Sequence, residues 1–299
     1  MFSLPRLAPM LFVLLWSTGF IGAKYGLPYA EPFTFLSLRL VMATVLLLIL
    51  NAFIKEGKAM KKADYGHAAV VGFLLHGAYL SGVFYAIHLG MPAGMAAVIV
   101  GLQPILSTLI ARYTLREQGS VLQWVGLLLG FAGVVMVVSQ KIHGNVPALA
   151  YVSALIALVG TTAGTLYQKR FGSGMPLVTG TAVQYAATSL VLIPLALTFE
   201  SHQVQFTGEF WFALIWLVLV LSLGAIGLLL YLIQRTSTAQ VTSLFYLVPP
   251  VTALEAFLLF HENLNALALL GMVVVAVGVS LVLKPASRPA PVKAVQPEV

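Results

Sequence analysis

From Leu7 to Leu283 the chain is a succession of apolar runs of about twenty residues, parted by short polar breaks. A hydrocarbon core about 30 Å thick takes roughly 20 apolar residues per helix. The pattern therefore predicts ten transmembrane helices near 7–27, 32–54, 66–89, 92–114, 120–140, 146–168, 176–199, 209–233, 238–260 and 264–284. The first run follows Arg6, and no small-residue cleavage site comes before Lys24, so it reads as a retained helix and not a cleaved signal. The closing stretch "KPASRPAPVKAVQPEV" is rich in proline and basic residues without apolar periodicity, which predicts a disordered cytoplasmic tail over 285–299.

Composition narrows the class. The chain is 60% hydrophobic and 8% charged, where a globular domain carries about a quarter charged residues, so the fold class is all-α integral membrane. The net charge of +7 is explained by its distribution. With the N-terminus inside, Arg6, Lys55, Lys58, Lys61, Lys62, Arg112, Arg116, Lys169, Arg170, Arg235 and Lys284 fall on the cytoplasmic side, and Lys141 is the clear outside loop cation. That asymmetry is the positive-inside pattern; it places both termini in the cytoplasm of a prokaryotic cell with the chain in the inner membrane, and argues against nucleic acid as a partner. There are no cysteines. The six histidines show no metal-ligand spacing, and no nucleophile elbow or phosphate loop is present. No metal, cofactor or enzymatic activity is expected.

The chain also repeats itself. "LQPILSTLIARYTLREQ" (102–118) and "LVPPVTALEAFLLFHEN" (247–263) each place a glutamate thirteen residues after a proline, and the two copies lie 145 positions apart. The same displacement carries Gly126 to Gly271, Gly133 to Gly278, Gly19 to Gly164 and Lys24 to Lys169. Five helices per copy is an odd number, so the second copy enters from the opposite side. The expectation is two inverted five-helix repeats, 1–140 and 146–284, with a site at their interface near the midplane.

The paired proline, glutamate and glycine pattern, together with "GMPAGMAAVIVGLQP" and "WSTGF", resembles the EamA family of the drug/metabolite transporter superfamily across nearly the whole chain. The second copy departs from it upstream, with Thr161 where the first has Trp16 and Gln184 where it has Arg39. The resemblance implies two inverted bundles around a central cavity, export of metabolites such as amino acids, and no cleaved signal.

Several residues could carry chemistry. Glu117 and Glu262 recur, so they read as helix-end or loop residues of the repeat. Pro104 and Pro249 fall within predicted helices, where each removes a backbone hydrogen bond and bends the chain; a hinge and a static kink are both open. Glu255 has no counterpart, since the displacement maps it onto Ile110. A charge at that depth costs about 2.5–3.5 kcal/mol on insertion scales. At about 1.5 Å per residue, Glu255 and Arg39 lie at similar depths, and pairing is possible. Glu255 is read as a proton-coupling or substrate-amine site with Arg39 as its partner or as a carboxylate ligand, against a fixed buried ion pair. His76 and Tyr79 share a face of the third helix. Trp16, Gln103, Gln184 and Tyr246 are polar or aromatic groups at membrane depth that could line a pocket, or pack helices. Lys24 and Lys169 read as snorkelling helix-end lysines. Gly126, Gly130 and Gly271 supply close helix contacts.

Taken together, the sequence points to a secondary transporter that exports small polar metabolites such as amino acids by alternating access, with proton coupling open. Export of drugs or nucleosides, and an uncoupled facilitator, are alternatives; a non-transporting membrane protein is the rival of another class. The expected partners are a small solute, the lipid bilayer and protons, in a monomer or homodimer.

Overall fold

Residues 4–54, 59–91, 93–117, 119–139, 146–260 and 265–283 are described by a computed structural model of the chain. The predicted tail, Glu262 and Lys141 lie outside the described residues, as do the side chains of Arg6 and Lys24. Among the described residues the regular structure is helical, apart from one isolated bridge between Ala30 and Val204. The helices are α1 Leu4–Gly26 and α2 Pro32–Ile54, α3 Lys62–His88, α4 Ala93–Val100 and α5 Gln103–Thr114, and α6 Val121–Val138. After them come α7 Ala148–Phe171 and α8 Leu177–Phe199, α9 Gly208–Arg235, α10 Thr238–Ser243, α11 Val248–Phe260 and α12 Ala266–Leu283. Seven of them, α2, α3, α6, α7, α8, α9 and α12, are long and apolar enough to cross a membrane, and the apolar stretches Leu7–Gly19 and Val98–Thr114 are shorter. The chain is a multi-span membrane protein.

The duplication extends to the ends of the helices. Displaced by 145 positions, α2 lands on α8 and α6 on α12, end for end. Even the irregularities recur. In α3 the residues Phe73–Ala78 widen into a π-helical stretch, and the same displacement drops that stretch inside the π-helical Leu217–Ala225 of α9. Such wide turns are rare and often mark functional positions. The caps recur too: the Ser120 hydroxyl accepts from the Gln123 amide at 3.2 Å to start α6, and Asn265 Oδ1 accepts from the Ala268 amide at 2.7 Å to start α12. Each cap satisfies a backbone donor that the helix start leaves unpaired, worth about 1 kcal/mol.

The prolines require a correction. Neither Pro104 nor Pro249 bends a continuous helix. The chain stops at Val100, turns through Gly101 and Leu102, and restarts at Gln103 with Pro104 in the first turn of α5. Pro249 likewise sits in the first turn of α11, after a tight 3-10 turn over Leu244–Leu247. The physical reason is the missing proline N–H: the first turn of a helix has no intrahelical acceptor for it anyway. A break there leaves carbonyls free at membrane depth, tolerable where they face protein or a cavity.

The most extensive helix packing joins α6 to α12. A Cβ on Gly126 would lie 2.6 Å from the Gly278 carbonyl oxygen, and one on Gly133 would lie 2.8 Å from that of Gly271. Positions rise along one helix as they fall along the other, so the two run antiparallel. The contact is also reciprocal, because Gly271 and Gly278 are the displaced copies of Gly126 and Gly133. Around this crossing α2 packs on α8, α3 on α7, and α1 on α9, so every layer mixes the two copies.

Candidate functional site

A cleft enclosing about 550 Å³ of space, open solvent included, lies where α1, α2 and α3 meet α9. Its wall includes Trp16, Arg39, Tyr79, Phe84, Leu221 and Ile226. A second hollow shares Trp16, Tyr79 and Val83 with it and continues to Gly101, Phe245 and Pro249, at the two helix breaks. Aromatic rings frame the junction. The Trp16 and Tyr79 rings stack with centroids 6.5 Å apart, and Phe245 meets Trp16 edge-on at 5.2 Å. Trp16, Arg39, Tyr79 and Pro249, singled out from the sequence, are therefore brought to one place.

Arg39 is 5% exposed. Its Nε donates to the Ser222 hydroxyl at 2.9 Å. Among the described residues the terminal guanidinium nitrogens have no hydrogen-bond partner, and they are not fully sealed from solvent. Arg39 lines the cavity. Ser222 belongs to the π-helical stretch of α9, and its carbonyl also accepts the Tyr185 hydroxyl at 2.6 Å.

The copy of this contact is made elsewhere. Position 39 displaced by 145 is Gln184, and Gln184 Oε1 lies 3.2 Å from His76 Nε2 in the π-helical stretch of α3. Each repeat thus reaches from its second helix into the wide turn of the other repeat. Gly72 permits the approach, since a Cβ there would sit 2.3 Å from the Gln184 carbonyl oxygen. Tyr185 links the two contacts, its ring 4.7 Å from that of His76. His76 is wholly buried, with Nδ1 unpaired, and does not line the cavity.

The remaining candidates lie apart. Gln103 donates to the Thr165 hydroxyl at 3.2 Å. Tyr246 packs its ring where a Gly130 Cβ would be 2.5 Å away, with its hydroxyl unpaired. Gly126 and Gly271 belong to the α6–α12 crossing. Glu255 does not pair with Arg39, which corrects that option. Its Oε1 accepts the Ser17 hydroxyl at 2.6 Å, and Oε2 is sealed without a partner. Two serines intervene: Ser17 takes the carboxyl and Ser222 takes the guanidinium.

On the side that the charge pattern assigns to the cytoplasm, Lys169 Nζ lies 2.8 Å from Glu117 Oε1 and also donates to the Thr236 carbonyl. The Glu117 carboxylate accepts the Thr238 amide at 2.8 Å and its hydroxyl at 3.1 Å, capping α10. Lys169 is thus an inter-repeat ion-pair partner as well as a helix-end lysine. At the other end, Glu200 accepts from the Phe33 and Thr34 amides at 2.6 and 2.7 Å. Glu31 accepts from the Ser201 amide at 2.6 Å. The Ser201 hydroxyl bonded to Glu31 holds its carboxyl below the usual carboxylate range, with His88 and His202 adding to the effect against desolvation.

Sequence reasoning passed over Ser17, Ser222, Tyr185 and Phe245. Ser222 is a lone hydroxyl in the apolar run "LVLVLSLGA", which was a usable signal. Phe245 carries none, because an aromatic residue in a membrane helix is ordinary.

The sequence profile of the EamA-like transporter family matches residues 7–139 and again 148–284. "Uncharacterized transporter YvbV" of Bacillus subtilis (strain 168) is 27% identical over 276 residues, covering 90% of this chain and 88% of the relative. A "Probable amino-acid metabolite efflux pump" of Escherichia coli (strain K12) is 26% identical over 280 residues, covering 90% and 91%. A crystal structure at 19% identity superposes with a TM-score of 0.79 over 93% of this chain and 95% of its own, which speaks for the fold alone.

Proposed function

The chain belongs to the EamA-like transporter family, and we propose that it exports small polar metabolites bearing a carboxylate, amino acids among them, by alternating access. One observation carries the reading: a buried arginine with no acidic partner among the described residues, on the wall of a cavity shared by helices of both repeats. A guanidinium keeps its charge under all ordinary conditions, and intramembrane charges that face a cavity often mark solute paths. Export is consistent with the printed name of the Escherichia coli relative.

The proposed architecture is ten spans in two inverted halves, 1–140 and 146–284, with both termini cytoplasmic in the inner membrane of a prokaryotic cell. The antiparallel, reciprocal α6–α12 contact supports inversion, and α1 together with the four shorter helices supplies the three missing spans if α4 joins α5 and α10 joins α11. Transport then consists of rocking one half against the other around the cavity. Glu255 is the proposed proton carrier, supported by a sealed carboxyl oxygen that no donor among the described residues serves.

The test is counterflow of radiolabelled amino acids in proteoliposomes with the wild type, Arg39→Gln and Glu255→Gln. The expected result is counterflow lost with Arg39→Gln, and retained with Glu255→Gln while solute-dependent proton movement stops. Counterflow unaffected by Arg39→Gln would remove the guanidinium from the path. Proton movement in Glu255→Gln equal to that of the wild type would reassign coupling.

A further inference from the structure

The polar side chains on the walls of both hollows are Trp16, Arg39 and Tyr79; every other lining residue is apolar, a glycine or a proline. The indole N–H only donates, the guanidinium only donates, and the phenol donates or accepts. Among the described residues no carboxylate or side-chain amide faces the space. Glu255, the acidic group nearest in sequence logic, is turned to Ser17 and is absent from both walls.

We infer that this site selects an anion with an apolar body, an aryl- or alkyl-carboxylate without a free ammonium group, over the corresponding zwitterionic amino acid. This rests on the reading that the chain transports carboxylates. The argument is one of charge balance. Among the described residues the wall carries one positive charge, in a low-dielectric setting, and a monocarboxylate neutralises it with two parallel N–H···O bonds, the geometry a guanidinium favours. A zwitterion brings the same carboxylate and an ammonium besides. That ammonium finds no acidic side chain on the wall, and an unpaired charge at this depth is strongly disfavoured. Its remaining acceptors are the Tyr79 hydroxyl and backbone carbonyls near the Gly101 break. The body of the solute lies against Phe84, Phe245, Leu221 and Ile226, surfaces that reward apolar area. Metabolites of this class arise wherever an amino acid is deaminated, transaminated or N-acylated.

Three probes share one phenyl body: 3-phenylpropionate carries the carboxylate alone, phenylalanine carries both charges, and phenethylamine carries the ammonium alone. Binding to the purified full-length chain in detergent is measured by calorimetry, and counterflow in proteoliposomes. The expected order is 3-phenylpropionate at least about tenfold tighter than phenylalanine, about 1.4 kcal/mol on the affinity scale, with phenethylamine not bound. The comparison is made on the wild type, so no variant has to fold. Arg39→Lys, which keeps the charge but loses the planar fork, is expected to narrow the preference for 3-phenylpropionate. Phenylalanine binding as tightly as 3-phenylpropionate would overturn the inference and leave carboxylate transport standing. Phenethylamine binding tightest would overturn both. Counterflow of other amino acids with none of the three probes bound would overturn the apolar-body inference alone.

Discussion

Tyr246 holds a buried hydroxyl that no described residue satisfies, although its ring is well packed against Gly130. Leaving such a group unpaired costs about 1–3 kcal/mol, so Tyr246→Phe is expected to raise thermal stability in detergent by about 1 kcal/mol with counterflow unchanged. A drop in counterflow at unchanged stability would instead place the hydroxyl on the solute path. Glu31 offers a pH test outside the membrane. Its folded pKa is lowered, chiefly by the Ser201 hydroxyl, so its stabilisation is present above the unfolded carboxylate value and is lost as pH falls through the lower folded one. Hydrogen exchange at the Ser201 amide is expected to lose protection on acidification, and Glu31→Gln to show weaker protection at neutral pH. Protection independent of pH in both proteins would assign it to the Ala30–Val204 bridge instead. The sequence made Glu255 visible as a singular residue, but the choice between Arg39 and Ser17 as its partner depended on side chains hundreds of positions apart, which no local pattern encodes.

Helix contacts test the repeats more directly. A Cβ on Gly278 would lie 2.5 Å from the Gly130 nitrogen and 2.7 Å from the Gly126 oxygen, both backbone atoms with no flexible end to swing away. Gly278→Ala is therefore expected to cost about 1–3 kcal/mol, read as a lower melting temperature. Gly227 in α9 has nothing within 4 Å of the same position, and Gly227→Ala is expected to be neutral or to stabilise by up to about 1 kcal/mol. Equal losses at both would mean that glycine matters here for something other than the crossing. These glycines were legible because a constant displacement picks them out of the sequence, as it does the ends of α2 and α6. The π-helical stretches were not. "FLLHGA" and "LVLVLSLGA" are apolar but for His76 and Ser222, and an apolar residue sits as readily in a wide turn as in a regular one. The breaks before Pro104 and Pro249 were half legible: proline announced an irregularity, but only the chain's course decided between a bend and a restart.

Across the whole molecule the two ends of the cavity differ, and the difference gives the proposed alternation a handle. Glu117, between α5 and α6, holds Lys169 at the end of α7 and the start of α10 in one cluster, so residues of the first repeat fasten two helices of the second. The cavity wall runs the other way, to Ala23 and Ile87, toward the ends of α1 and α3 that the charge pattern puts outside. In the proposed orientation this conformer is closed inside, and opening inward requires the Glu117 cluster to part. Glu117→Ala should therefore raise the inward-open population. The chain has no cysteines, so a single Ser107→Cys can report on that path: Ser107 is wholly buried on α5 and reaches Thr242 of α10. With Glu117 present, an impermeant maleimide applied to the cytoplasmic face is expected to label it slowly. With Glu117→Ala the rate is expected to rise about tenfold, the change in open population that about 1.4 kcal/mol of lost closure produces. Thermal stability measured alongside distinguishes gating from unfolding, because general loosening would speed labelling and lower the melting temperature together. Unchanged labelling would reduce the cluster to a helix cap, and the closed end of the cavity would have to be held by something else, with the α5–α10 packing around Ser107 and Thr242 as the next place to cut.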